Sequence, residues 1–291
     1  MGFEACHPAV NFIFFAAVLY GSATFRHPVF LAIAYLCAFA YSVKRRGKRA
    51  AIFNLCLLPL VAAFALYYSS YHHFGVTVLR KNFVDNNMTL ESLVYGLVIG
   101  LRFATVCMWL ESMFQVVSSD KVVYLFGKIS PLLSLFLTIL LRLIPRIGLE
   151  ARRINLAQKG IGRGSNQGNA FQRFGNSLRI FSMLITWMIS ALALESDSMR
   201  SRGSLLRGRT AFSIYRFDNR DRAFVIGLFA CITLTVMGVI LGASKMWYNP
   251  RIIWRPLNGI GVVTAIGYLA LCAMPMGLEL WTEYRFCAAR K

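Results

Sequence analysis

Acidic residues are scarce in this chain: 12 Asp and Glu stand against 32 Lys and Arg, a formal net charge of +20. Charged residues of either sign make up only 15% of the 291, where a soluble enzyme carries about 25%. With 57% hydrophobic residues and a mean hydropathy of +0.56, that shortage excludes an ordinary water-soluble domain. A polytopic all-α membrane protein is the expectation. Histidine is also rare, at His7, His27, His72 and His73. No His-Glu-x-x-His occurs, and no Ser/His/Asp or Cys/His set recurs at readable spacing, so intramembrane hydrolase chemistry has no support. His72-His73 is an adjacent pair that faces two directions on most backbones, a polar pair at a membrane edge rather than a metal site. The cysteines (Cys6, Cys37, Cys56, Cys107, Cys231, Cys272, Cys287) are scattered singly, without metal-ligand or redox spacing, and read as small apolar fillers. The opening Met1-Gly-Phe-Glu-Ala-Cys lacks the basic start of a signal peptide, so no cleaved leader is expected.

What is present is a series of apolar runs. A span needs about 20 apolar residues. Stretches 51–70, 90–117, 223–243 and 257–282 reach or approach that length, and the shorter 10–24 and 29–43 read as a helical hairpin with Pro28 opening its second arm. Six spans are expected. Ionisable residues inside them are nearly confined to Arg102 and Glu111, about 13 Å apart along one helix and so not a direct pair. Such poverty of intramembrane polar groups argues against a self-sufficient transporter with a midplane site. The Lys/Arg bias orients the chain. The basic loop Lys44-Arg45-Arg46-Gly47-Lys48-Arg49 goes inside and the nearly neutral 71–89 goes outside, which puts both termini in the cytoplasm.

Three regions follow: membrane helices in 1–117, a central segment 118–222, and membrane helices in 223–291. The central segment holds 17 Lys and Arg against 6 Asp and Glu. Its apolar runs, 131–144 and 178–194, are short for spans, and the connector between them carries Arg146, Arg152, Arg153, Lys159, Arg163 and Arg173. That charge is wrong for an outside loop, so the segment reads as a cytoplasmic or interfacial platform of about three helices. The first is capped by Ser119-Asp120, with Val122, Leu125, Phe126 and Ile129 on one face. The second starts at Pro131, is bent at Pro145, and carries a stripe of Leu143, Ile147, Ala151, Ile154 and Ile161 opposed by Arg146, Glu150, Arg153 and Lys159. Arg146 and Glu150, four apart, can pair. A breaker-rich loop, 160–169, precedes a third helix from about Phe171 to Ser201, which Gly203 ends. Beyond it, Arg207 and Arg220 sit in flexible polar sequence. Gly203-Ser-Leu-Leu-Arg-Gly208-Arg209-Thr210 is close to a phosphate-binding loop, but Arg209 replaces the lysine and the stretch follows a helix rather than a strand, so it reads as a basic loop. Nucleic acid is not the expected partner of a basic patch set directly beside membrane helices; lipid headgroups and partner carboxylates come first.

Several blocks, in order, resemble one family. They are His7-Pro8-x-x-Asn11; Ser119-Asp120-Lys121 with Tyr124-Leu-Phe-Gly-Lys128; Leu141-Arg142-Leu-Ile-Pro145 followed by Glu150-Ala151, Ile154 and Ala157-Gln158-Lys159; and Ala193-Leu-Glu195-Ser-Asp197-Ser-Met199-Arg-Ser-Arg202-Gly203. The chain resembles, over nearly its whole length, the transmembrane T component of energy-coupling factor transporters, which includes the cobalt-transport component Q. The resemblance implies a non-catalytic scaffold in the cell membrane with no cofactor of its own. It also implies two cytoplasmic ATPase partners and a separate membrane S component that captures a vitamin or transition metal. It implies docking of the ATPases on Ala-Arg-Gly-like tripeptides at the ends of two coupling helices. Here the second is Ser201-Arg202-Gly203. The first is Gly160-Ile161-Gly162, which lacks the arginine, or Arg163-Gly164 one step later. Arg142, Pro145, Glu150, Gln158, Glu195, Asp197 and Met199 would support those helices. The other reading is a stand-alone permease for a small solute.

The charge-based topology is checked by labelling single cysteines from outside in a cysteine-free background. Asn86→Cys should react and Asn166→Cys should not. Reaction at 166 would remove the platform from the cytoplasm.

Overall fold

The computed structural model of the chain describes residues 2–72, 74–81, 87–127, 131–203, 215, 217–244, 246–253, 256 and 258–289. A single 3-10 turn, Phe3–Ala5, precedes α1 (Pro8–Thr24), α2 (Pro28–Arg46) and α3 (Lys48–Tyr71). A two-stranded antiparallel ribbon of β1 (Val78–Lys81) and β2 (Asn87–Thr89) leads into α4 (Leu90–Val116). Then come α5 (Ser119–Gly127), α6 (Pro131–Gly160), α7 (Ala170–Ser201), α8 (Asn219–Ile240) and α9 (Gly259–Ala289). The chain forms two units. One joins Met1–Ser118 to Tyr215–Lys291, and the other is Ser119–Ile214.

In the first unit, two His-Pro dipeptides start the first two helices in the same way. His7 and His27 are the N-caps, each accepting a bond at Nδ1 from the amide of Ala9 or Val29 at 3.3 Å, and Pro8 and Pro28 need no partner for the amide they lack. Buried Val10, Asn11, Phe14, Phe15, Val18, Gly21 and Ser22 recur at helical spacing along α1. The core they enter is an aromatic column. Phe3 meets Phe14 at 5.2 Å, Phe14 meets Trp109 of α4 at 6.0 Å, and Tyr41 of α2 stacks on Trp109. Phe25 stacks on Phe30 at 4.8 Å and meets Tyr268 of α9 edge-on. Where no aromatics intervene, glycines let helices approach. A Cβ on Gly96 of α4 would lie 3.1 Å from the Ala65 backbone of α3, and one on Gly100 3.0 Å from Val61. Small residues four apart give such contacts in membranes, where burial of apolar surface does not drive association.

Among the described residues, six helices are long and apolar enough to cross a bilayer: α2, α3, α4, α7, α8 and α9. The number is the one expected, but α7 takes the place of α1. At 17 residues α1 is about 26 Å long, under the hydrocarbon thickness, and one face of it is committed to the core. The run 178–194 was too short to count as a span by itself, yet the helix around it extends to 32 residues. The protein is thus an all-α, multi-pass membrane protein.

The stretch Lys44–Arg49 is not a loop. Lys44, Arg45 and Arg46 form the last turn of α2, where cations favour the negative end of the helix dipole. Gly47, at φ +63°, is the only break before α3. Each of the three cations finds carboxylates. Lys44 Nζ is 3.1 Å from Glu283, Arg45 is 3.0 Å from Glu4 and 3.1 Å from Glu279, and Arg46 pairs with Glu111. So Glu111, one of the two ionisable residues expected inside a span, is neutralised from α2. Arg220, expected in flexible sequence, lies in the first turn of α8, which Asp218 and Asp221 start with a reciprocal capping box. Arg207, Gly208, Arg209 and Thr210, Lys128, His73 and Asn86 lie outside the described residues.

Arg45 is 14% exposed and Glu279 12%, whereas Glu283 is 63% exposed. Arg45→Ala should therefore cost about 2 kcal/mol and Lys44→Ala under about 1 kcal/mol. Thermal unfolding of the purified chain in detergent would show it; equal shifts for the two variants would mean the Arg45 cluster adds nothing beyond surface charge.

Candidate functional site: the ends of the two long helices

The second unit is built from α5, α6 and α7. In α5 Lys121 is buried and Val122, Leu125 and Phe126 of the expected apolar face are partly buried, while Ile129 lies outside the described residues. Helices α6 and α7 form a hairpin whose sides are matched by paired residues. Arg142 faces Glu195 at 3.7 Å, the Arg146 guanidinium sits 5.7 Å from the Trp187 ring, and Gln158 Nε2 is 3.5 Å from Met183 Sδ. Pro145 lies inside α6 with an exposed ring. Leu143 is buried and Ile147, Ala151 and Ile154 are partly so, as the stripe requires; Ile161 is exposed, because α6 ends at Gly160 and Ile161 falls in the turn. The expected Arg146–Glu150 pair does not form. Glu150 takes Arg153 at 3.2 Å instead, and Arg146 is drawn across to the Trp187 ring, a partner the sequence of one helix does not display.

The first candidate tip is the end of α6. Gly162 has φ +76°, a left-handed conformation that costs glycine nothing, and its amide bonds the Lys159 carbonyl at 3.1 Å while the Arg163 amide bonds Gln158 at 2.9 Å. Gly160 and Gly162 have open space where a Cβ would stand, and Ile161 and Arg163 are exposed. The loop that follows is held by amide side chains. Gln167 Oε1 accepts from the Gly164 amide at 2.9 Å, Asn155 Oδ1 accepts from Ser165 at 3.1 Å, and Asn176 Nδ2 donates to the Gly164 carbonyl at 3.2 Å. Asn169 and Gln172 then form a capping box that starts α7. These four amide residues around the loop, Asn155, Gln167, Gln172 and Asn176, were not singled out in the sequence. The signal available was an unusual density of Asn and Gln beside the glycines.

The second tip is the end of α7. Gly203, at φ +76°, bonds its amide to the Arg200 carbonyl at 3.0 Å, and Ser201 Oγ donates to Ser198 at 2.8 Å. Arg202 is exposed and borders a groove of about 430 Å³ lined by Arg142, Arg146, Trp187, Glu195 and Met199. Three arginines face one carboxylate there, so the groove carries unneutralised positive charge. Asp197 lies outside it, exposed, with no ion pair among the described residues. The two tips are at opposite ends of α7, whose 32 residues span about 48 Å. They are two separate places rather than one composite site. Among the described residues, no group of three or more His, Cys, Asp or Glu could hold a metal. His7 and His27 are helix caps and His72 ends α3.

Neither family models nor curated proteins give a match to this chain.

Asn176→Ala should loosen the first tip. Losing bonds worth about 1 kcal/mol should raise trypsin cleavage after Arg163 about fivefold relative to cleavage after Arg152. An unchanged ratio, read by mass spectrometry, would show that the loop does not depend on Asn176.

Proposed function

We propose that the protein is the energy-coupling membrane scaffold of an importer of the energy-coupling factor type. In this reading α7, although long and apolar enough to cross, lies with α6 in or under the cytoplasmic interface, so that both of its ends and both chain termini are on the cytoplasmic side. Two ATPases dock on it, one at Gly160-Ile161-Gly162 with Arg163 and one at Ser201-Arg202-Gly203. A separate membrane S component captures the substrate, a vitamin or a transition metal. The chain itself is non-catalytic, and ATP is hydrolysed in the partner subunits.

The observation that carries the reading is the pair of tips. Two long helices end in glycine-closed turns about 48 Å apart. Each tip leaves its backbone and an arginine open to a partner. An arginine fixed at a helix end presents a rigid fork that suits carboxylates and last-turn carbonyls in a groove. The cationic groove behind Arg202 adds complementarity to an acidic docking surface. A second support is what the hairpin leaves uncovered. No residue of α7 is buried, and Phe171 is 89% and Leu194 72% exposed. Helices of this length with that much apolar surface need lipid or protein against them. ATP-driven closure of the two ATPases would move the two tips, and stiff helices would carry the displacement along the chain to the S component.

Arg202→Ala should weaken ATPase co-purification by about 30-fold or more, as expected when a buried charge pair loses one member. Arg152→Ala, an exposed cation on α6 outside both tips, should change it by less than about fivefold and in a salt-dependent way. If both variants behave alike at two salt concentrations, Arg202 is one more surface charge. Transport by the chain reconstituted alone would favour a stand-alone permease.

A further inference from the structure

The cations of the first unit are not treated alike. Lys44, Arg45 and Arg46 at one end of its helices are met by Glu4, Glu111, Glu279 and Glu283. At the other end, where α1 turns into α2, α3 ends, α4 begins and α8 leads to α9, Arg26 and Arg102 have no carboxylate partner among the described residues. Glu91, the one described carboxylate at this end, is already engaged. It accepts from the Thr77 amide at 3.3 Å and from Thr77 Oγ1 at 2.7 Å. Arg102 stands three turns into α4, about 18 Å from its start. Its side chain is half-buried, it interacts electrostatically with Arg26, Tyr95 and Tyr248, and its Nε is buried without a hydrogen-bond partner. A half-buried guanidinium with a like charge as its neighbour is costly at a membrane boundary unless an anion joins it.

Beside these arginines lies a pocket of about 450 Å³ lined by Arg26, Tyr68, His72, Phe74, Tyr95 and the segment Met246–Asn249. Its walls are set firmly. Tyr68 packs on His72 at 4.2 Å and on Tyr95 at 5.7 Å, and Tyr95 packs on Tyr248 at 5.5 Å. Tyr248 donates its hydroxyl to the Arg26 carbonyl at 2.7 Å, which fixes the α1–α2 turn over the pocket. Burial pushes the Tyr248 hydroxyl up to about 12, so it stays a neutral donor at any physiological pH. The Arg26 guanidinium, Tyr68, Tyr95, His72 and Asn249 border this space, and Arg102, which does not line it, stands close enough to interact with Arg26, Tyr95 and Tyr248 of its wall, so donors and positive charge are in excess there.

We propose that this pocket is a binding site for a phosphate group, held between Arg26 and Arg102. A tetrahedral anion offers oxygens to both guanidinium forks at once and neutralises both charges, which a single carboxylate does less well. The volume exceeds that of the bare ion and leaves room for the group that bears it. That group is either the glycerol moiety of an anionic phospholipid or a soluble phosphomonoester. The site is independent of the coupling role, since none of its residues belongs to the α6–α7 hairpin.

The full chain is purified in detergent as wild type, Arg26→Gln, Arg102→Gln and Arg80→Gln. Arg80 is an exposed cation on β1 that does not line the pocket. One arm titrates short-chain phosphatidylglycerol, with the matching diacylglycerol as the phosphate-free control, and counts bound lipid by native mass spectrometry. The other arm titrates glycerol 3-phosphate and inorganic phosphate by calorimetry. Saturable binding in the wild type is expected in at least one arm. It should weaken about tenfold in Arg26→Gln and in Arg102→Gln, the loss expected for one hydrogen bond to a charged group, and change by less than about twofold in Arg80→Gln. Binding in the first arm alone identifies a lipid headgroup, and binding in the second identifies a soluble phosphate. No saturable binding in either arm, binding of diacylglycerol as tight as that of phosphatidylglycerol, or equal weakening by Arg80→Gln overturns the proposal. Arg26 is exposed and its side chain holds no part of the core, so Arg26→Gln decides the matter even where Arg102→Gln does not fold.

Discussion

The first unit depends on rejoining two pieces of chain that an insertion of nearly a hundred residues separates, and charge pairing at the end of α2 is the contact that does this most specifically. Arg45 reaches Glu4, which precedes α1, and Glu279, near the end of α9, while Lys44 reaches Glu283 one turn further on. The aromatic column supplies the area, with Phe30 and Phe25 against Tyr268, but aromatic rings accept several registers. A bidentate cation between two carboxylates accepts few, so it fixes how far α9 slides along α2. In a bilayer, where burial of apolar side chains does not separate right from wrong helix neighbours, polar pairs of this kind and close glycine contacts carry much of the specificity.

The second unit stands under the opposite constraint. Among the described residues it has almost no interior: α6 buries Leu143, α5 buries Lys121, and α7 buries nothing. Its order comes from local devices instead. Gly162 and Gly203 close the helix ends in left-handed turns, the Asn169–Gln172 capping box opens α7, and Asn155, Gln167 and Asn176 satisfy the backbone of the connecting loop. A hairpin held this way is defined along its length and at its ends while its faces stay uncovered. That suits an element whose purpose is to be gripped by other proteins or lipid, and it suits poorly an element that must enclose a substrate.

Much of this was legible in the sequence, and what was not has identifiable causes. Helix starts at Pro28 and Pro131, and helix ends at Gly160 and just before Gly203, follow from local chemistry, and they could be read directly. The residues at both tips were named through the resemblance, and the left-handed glycines Gly162 and Gly203 place them at helix ends. Pairings across helices could not. Glu150 had two cations within helical reach, and the choice of Arg153 was made by Trp187 on another helix, which drew Arg146 away. The cations of Lys44–Arg49 looked like a loop because hydropathy falls there, yet four glutamates up to 239 residues distant let α2 continue through Lys44, Arg45 and Arg46 as far as Gly47. Membership of α1 and α7 among the long apolar helices differed for a related reason: capping groups set helix length, and hydropathy alone sets only the length of the apolar run.

Arginine is the residue that distinguishes the parts of this molecule, and its partners rather than its number carry the meaning. In the α2 end it is fully met by carboxylates and acts as a structural tie. At the α7 tip Arg202 has no ion pair among the described residues and stands at the end of a rigid rod, beside Arg142, which pairs with Glu195, and Arg146, which lies on Trp187. At the aromatic pocket Arg26, exposed at its rim, and half-buried Arg102 beside it have no carboxylate among the described residues. Exposed positive charge on a rod favours fast, salt-sensitive encounter with an acidic surface. Half-buried positive charge with a fixed donor set selects a small anion by geometry and is screened little by salt. A net charge of +20 spread evenly would give neither property. Placing the scarce acids so that they neutralise one end of the first unit leaves the excess charge concentrated at the two places proposed above as sites of recognition.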